Sequence, residues 1–61
     1  MTNLEIEKAL AEAAKCDLRT ARKALEHGYR TIRRVAVRDR IAFAMRRNHD
    51  LAEQYSKEHY P

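Results

Sequence analysis

Arg19 and Lys23 stand four residues apart, directly behind Asp17 and Leu18. On a helix that spacing puts both cations on one face, one turn above the other. A guanidinium fork matches the two acceptors on the major-groove edge of guanine, and an ammonium reaches the same atoms as a point charge. Leu18, at the start of the same helix, is apolar and short enough to meet a thymine methyl. Arg22 is rotated off that face and is expected to meet a phosphate. The chemistry these residues offer is recognition by hydrogen bond and charge, not bond-making.

Their surroundings have the same bias. The chain carries 13 Lys and Arg against 9 Asp and Glu, but the excess is not spread evenly. Residues 19–47 hold ten bases and two acids, whereas both flanks are acidic on balance. A field concentrated in one segment attracts a polyanion, and each phosphate neutralised releases counterions. Arg30, Arg33 and Arg34, ahead of a third helix, are expected to clamp phosphates. Tyr29 either donates to a phosphate or covers the corner between the second and third helices. Arg38 and Arg40 have Asp39 and Glu26 as candidate ion-pair partners, and Arg46 and Arg47 suit a helix C-terminus.

Other chemistry finds no support in the residue pattern. The sequence has no glycine-rich phosphate loop, no serine with a base partner and no carboxylate pair in an apolar run, so no catalytic residue is assigned. His49, Asp50 and Glu53 lie close in sequence, but His27 and His59 are remote and there is no second Cys, so neither a metal site nor a cofactor is expected. Cys16, the sole cysteine, excludes an internal disulfide and suits a reducing compartment, as a small apolar plug. No apolar run approaches the ~18 residues that a membrane span needs. The expected setting is the cytoplasm, with access to nucleic acid and no evident small-molecule effector.

The elements that must position these side chains read as helices. One Gly and one Pro in 61 residues are far below average usage, and the only β-branched cluster, Ile32, Val35 and Val37, sits among arginines. Thr2 and Glu5 have capping-box spacing, which starts a first helix over about Asn3 to Ala14. Leu4, Ile6, Leu10, Ala11 and Ala14 are expected to supply its apolar surface, with Glu5, Glu7, Lys8 and Glu12 in water. Lys15-Cys16-Asp17 forms a break, with Asp17 as N-cap of a second helix from about Leu18 to His27. Ala21, Ala24 and Leu25 turn inward, and Gly28 ends it in the left-handed conformation.

Thr31 is then expected to cap a third helix. Val37, Ile41, Ala44, Asn48, Leu51 and Tyr55 recur at alternating spacings of four and three, a heptad-like seam. That seam suggests one long helix whose residues Ile41, Ala44, Asn48, Leu51 and Tyr55 pair with a second copy. Phe43 and Met45 supply the interface if the opposite face is used. The fold expected is all-α: a three-helix bundle with a helix-turn-helix and an extended C-terminal helix over residues 1–55, then a frayed polar tail over 56–61. A chain this short buries only about 60% of its unfolded surface, so support from a partner subunit is reasonable.

Ala11-Glu12-Ala13-Ala14, Cys16-Asp17-Leu18-Arg19-Thr20-Ala21 and Val37-Arg38-Asp39-Arg40-Ile41 together resemble the DNA-binding headpiece of the LacI family of bacterial repressors. They are similar to its A-x-x-A, V-S-x-x-T-V and T-R-E-R-V runs, over roughly Ala9 to Arg47. The resemblance implies a three-helix fold acting as a dimer on a palindromic operator. It implies base contacts at Leu18, Arg19 and Lys23, and phosphate contacts at Asp17 and Thr20. Lys15 stands where that family has a turn glycine, the link to the third helix is about two residues longer, and the hinge helix and sugar-binding domain are missing. A stand-alone small regulator of phage or plasmid type is the expectation, a repressor binding double-stranded DNA as a homodimer. Two other readings compete: a basic helical adaptor or inhibitor docking on an acidic protein surface, and a nonspecific architectural DNA binder.

Overall fold

The computed structural model describes residues 2–55, and the expected frayed tail lies outside them. Four helices follow in order: α1 Asn3–Ala14, α2 Leu18–His27, α3 Val35–Arg47 and α4 His49–Gln54, with a single 3₁₀ turn at Tyr29–Thr31. The described residues are all-α, without strands. None of these helices is long and apolar enough to cross a membrane.

Each boundary has a local cause. The hydroxyl of Thr2 accepts from the Glu5 amide at 3.2 Å, and the Glu5 carboxylate accepts from the Thr2 amide at 2.9 Å. This reciprocal pair satisfies amides that the start of α1 leaves unpaired. At the other end, Lys15 takes the left-handed conformation, φ 54° and ψ 49°. Cys16 N then donates back to Ala11 O at 3.0 Å and Lys15 N to Glu12 O at 3.3 Å. This is a Schellman close, normally built around glycine. Asp17 opens α2 by accepting from the Thr20 amide at 2.8 Å.

Gly28 ends α2 as expected, though in a different conformation. Its φ of +92° is paired with ψ 149°, so the chain leaves α2 extended instead of curling left-handed. That region is open essentially to glycine alone. The 3₁₀ turn follows, and the Thr31 hydroxyl donates backward to Gly28 O at 2.8 Å. Thr31 therefore closes this turn and does not cap α3, which begins four residues later behind Arg34 with no side-chain cap. Ile32, 7% exposed, anchors the link to the core.

The long third helix does not form. Asn48, φ −129° and ψ 45°, interrupts it, and its side-chain amide donates to Ala44 O at 3.0 Å. A short polar side chain that bonds the preceding turn competes with helix propagation. The chain turns and α4 folds back onto α1 and α3. Ile41, Ala44 and Tyr55 consequently lie within the molecule's own core, at 0%, 4% and 6% exposure, and Leu51 packs against it. The heptad-like spacing is an intramolecular stripe folded at Asn48, not a free pairing seam.

α1 is the central element, in contact with α2, α3 and α4. Its buried stripe is Ile6, Glu7, Leu10 and Ala14. Two expectations fail here for one geometric reason. Glu7 lies three residues before Leu10 and seven before Ala14, on the buried face, whereas Leu4 falls off it. Leu4 is 47% exposed and Glu7 only 3%. Burying a carboxylate is costly unless it is paired, and Glu7 is paired twice. Its Oε2 accepts from the Tyr55 hydroxyl, and its Oε1 accepts from Arg22 Nε at 3.2 Å.

Candidate nucleic-acid interface

The rim of the molecule around the α1–α2 turn carries most of the side chains selected from the sequence. Leu18 is half-buried at the first position of α2, while Arg19 and Lys23 are exposed. Neither cation has a salt bridge or side-chain hydrogen bond among the described residues. The turn that presents them is held on both sides, by the Schellman close at Lys15 and by the Asp17 cap. Cys16, between the two, packs partly against the core. Burial pushes its thiol up from the usual value, with the Asp17 carboxylate adding to the shift and Arg40 opposing it. A thiol so placed stays protonated and unreactive, as a plug should.

Asp17 is held below the ordinary carboxylate range, first by the Thr20 hydroxyl and then by the Thr20 amide. Its negative charge is thus fixed and already engaged, so any contact of this residue with a phosphate has to run through the backbone. Thr20 is half-buried beside it.

Arg22 stands apart from the phosphate role expected of it. Its Nε is drawn back to Glu7 on α1, with the side chain 45% exposed. Arg30, Arg33 and Arg34 are exposed and unpaired among the described residues. Tyr29 is half-buried against the core, covering the corner after α2. Arg40 does not pair with Asp39 or Glu26: its Nε donates to Ala14 O at 2.9 Å. A guanidinium there complements the negative end of the α1 dipole.

Packing of α3 against α1 also creates something the local pattern does not contain. Lys15, Lys23, Arg33, Arg34 and Arg40 border one open cleft of about 550 Å³ between the α1–α2 turn and the start of α3. The sequence marks Lys15 as part of a turn and Arg40 as an ion-pair candidate, with nothing to bring the two together. No short-range signal pairs them, because residues 15 and 40 meet only through the tertiary fold.

The remaining chemistry-bearing residues sit elsewhere. The ligand atoms of His49, Asp50 and Glu53 lie within 4.8 Å of one another on α4, and all three residues are exposed. His49 Nδ1 is 3.4 Å from Glu53 Oε1, an ordinary pair of neighbours one helical turn apart. Phe43 is 61% exposed on α3, with the Arg47 guanidinium 5.6 Å above its ring.

No protein-family model matches this chain, and neither does any curated protein or solved structure.

Proposed function

We propose that this chain is a sequence-specific DNA-binding protein that inserts α2 into the major groove, a small helix-turn-helix regulator that represses transcription. One observation carries the reading. Arg19 and Lys23 are exposed, without a salt bridge, within the first six residues of a ten-residue helix whose start is locked by Asp17 and the Lys15 turn. A helix with its side chains is about 10–12 Å across, and a groove about 12 Å wide admits it. Arg19 and Lys23 read base edges, with Leu18 against a thymine methyl. Arg30, Arg33 and Arg34 hold phosphates, joined by the backbone of Asp17 and by Thr20. Arg22 sets the angle of α2 against α1 through Glu7 and is not part of this set.

One such domain makes few base contacts, so two copies on adjacent half-sites raise both affinity and selectivity. With Ile41, Ala44 and Tyr55 committed to the core, the face around exposed Phe43 is the one left on α3 for a second copy. The protein works where its DNA is, in the cytoplasm.

The test is a gel-shift titration at two salt concentrations, on a duplex selected from a random pool and on its scrambled counterpart. The proposal expects one preferred duplex, bound at least about 10³-fold more tightly than the scrambled one, with affinity falling as salt rises. Equal affinity for the two duplexes would indicate an architectural binder. Failure to bind either at moderate salt would leave the basic segment to an acidic protein partner.

A further inference from the structure

We propose that the cleft between the α1–α2 turn and α3 binds a small organic oligophosphate. Its phosphates would be held by the surrounding cations and its apolar part by the apolar residues of the lining. Lys15, Lys23, Arg33, Arg34 and Arg40 converge on this one cavity from three separate stretches of chain. No salt bridge among the described residues neutralises any of them. Five cations around a single carboxylate leave the cleft positive on balance, and an anion in their midst relieves the repulsion among them. Asp17 is the acid on the lining, and its carboxylate is already turned to Thr20. Thr20 also borders the cleft.

Two features separate this cavity from a patch that merely follows a DNA backbone. Its volume of about 550 Å³ falls within the range of small-molecule sites, about 300–1,000 Å³. Its lining also includes the apolar side chains of Cys16, Ile32 and Val37. A bare phosphate has no use for apolar neighbours, whereas the ring of a nucleoside does. Sequence reading suggests no effector because the lining residues are scattered between positions 15 and 40.

The cleft shares Thr20, Lys23, Arg33 and Arg34 with the proposed DNA-contact set, but its test uses no duplex, so either proposal can fail without the other. Isotope-labelled protein is titrated with sodium tripolyphosphate and, separately, with adenosine triphosphate, at fixed ionic strength and followed by amide shifts. Saturable shifts confined to residues 15–23 and 32–40 are expected, with the nucleotide binding more tightly than tripolyphosphate. Arg33→Gln with Arg34→Gln should weaken binding about tenfold or more, since each lost cation removes a charge-assisted bond. Arg46→Gln with Arg47→Gln removes the same charge from the far end of α3 and should change affinity less than about twofold. The amide spectrum reports directly that both double variants stay folded. Equal weakening by the two pairs, shifts spread along α3, or no gain from the nucleoside would overturn the proposal.

Discussion

Arg19 and Arg34 are both exposed arginines on helix boundaries of one small molecule, yet they should answer differently to removal. A bidentate contact to guanine discriminates against a wrong base by ~1–3 kcal/mol, and a phosphate contact carries no sequence information. Arg19→Ala is therefore expected to lose roughly tenfold or more on the selected duplex and little on the scrambled one. Arg34→Ala should weaken both alike and lower the slope of log affinity against log salt by about one. Fluorescence anisotropy over a salt series reads both quantities. At the same scale, Asp17 and Glu5 have pH consequences. Each carboxyl is held below its ordinary range, Asp17 by the Thr20 hydroxyl and amide, Glu5 by the Thr2 amide and hydroxyl. A carboxyl with a lowered folded pKa stabilises fully above its unfolded value, about 4, and that contribution fades as pH falls through the lowered value. The melting temperature should drop below about pH 4. Asp17→Asn, which keeps a cap acceptor but cannot titrate, should flatten part of that fall. An identical pH profile for the variant would mean the cap charge adds no stability.

Individual elements differ in how plainly they are written in the chain. α1 and α2 are legible because their caps are local: Thr2 with Glu5, and Asp17 with Thr20, lie three residues apart. Gly28 marks the end of α2 for the same reason, since positive φ is a property of one residue. Beyond it the reading fails where tertiary contact decides. Thr31 has the chemistry of a cap but spends its hydroxyl on a 3₁₀ turn. The seam from Val37 to Tyr55 has the right period, yet period alone does not distinguish one long helix from two that fold back at Asn48. Glu7 reads as a surface acid until Arg22 and Tyr55, 15 and 48 residues away, arrive to partner it. The energetic weight of that network can be measured. Tyr55→Phe removes the hydroxyl that ties α4 to α1 and should cost about 1–3 kcal/mol in urea unfolding, as a hydrogen bond to a charged group does. A loss below a few tenths of a kcal/mol would mean that packing of the ring, not the bond to Glu7, holds α4 in place.

At the scale of the whole molecule, the division of labour follows the charge map. Acidic α1 is the packing hub, and it commits Glu7, its one buried acid, inward. The basic segment wraps that hub and keeps Arg19, Lys23, Arg30, Arg33 and Arg34 outside, unpaired among the described residues. Compact placement was not readable from composition, but the sign of the surface was, because ten of 13 bases fall in residues 19–47. Contact between the start of α2 and the major-groove edge of guanine is detected by methylation interference. Dimethyl sulfate marks guanine N7 in the major groove and adenine N3 in the minor groove. Methylated N7 at defined guanines of the selected site should abolish binding by the parent protein. In Arg19→Ala, interference at one guanine in each half-site should disappear while the others persist. Interference confined to adenine N3, or an unchanged guanine pattern in Arg19→Ala, would rule out base recognition by Arg19 in the major groove.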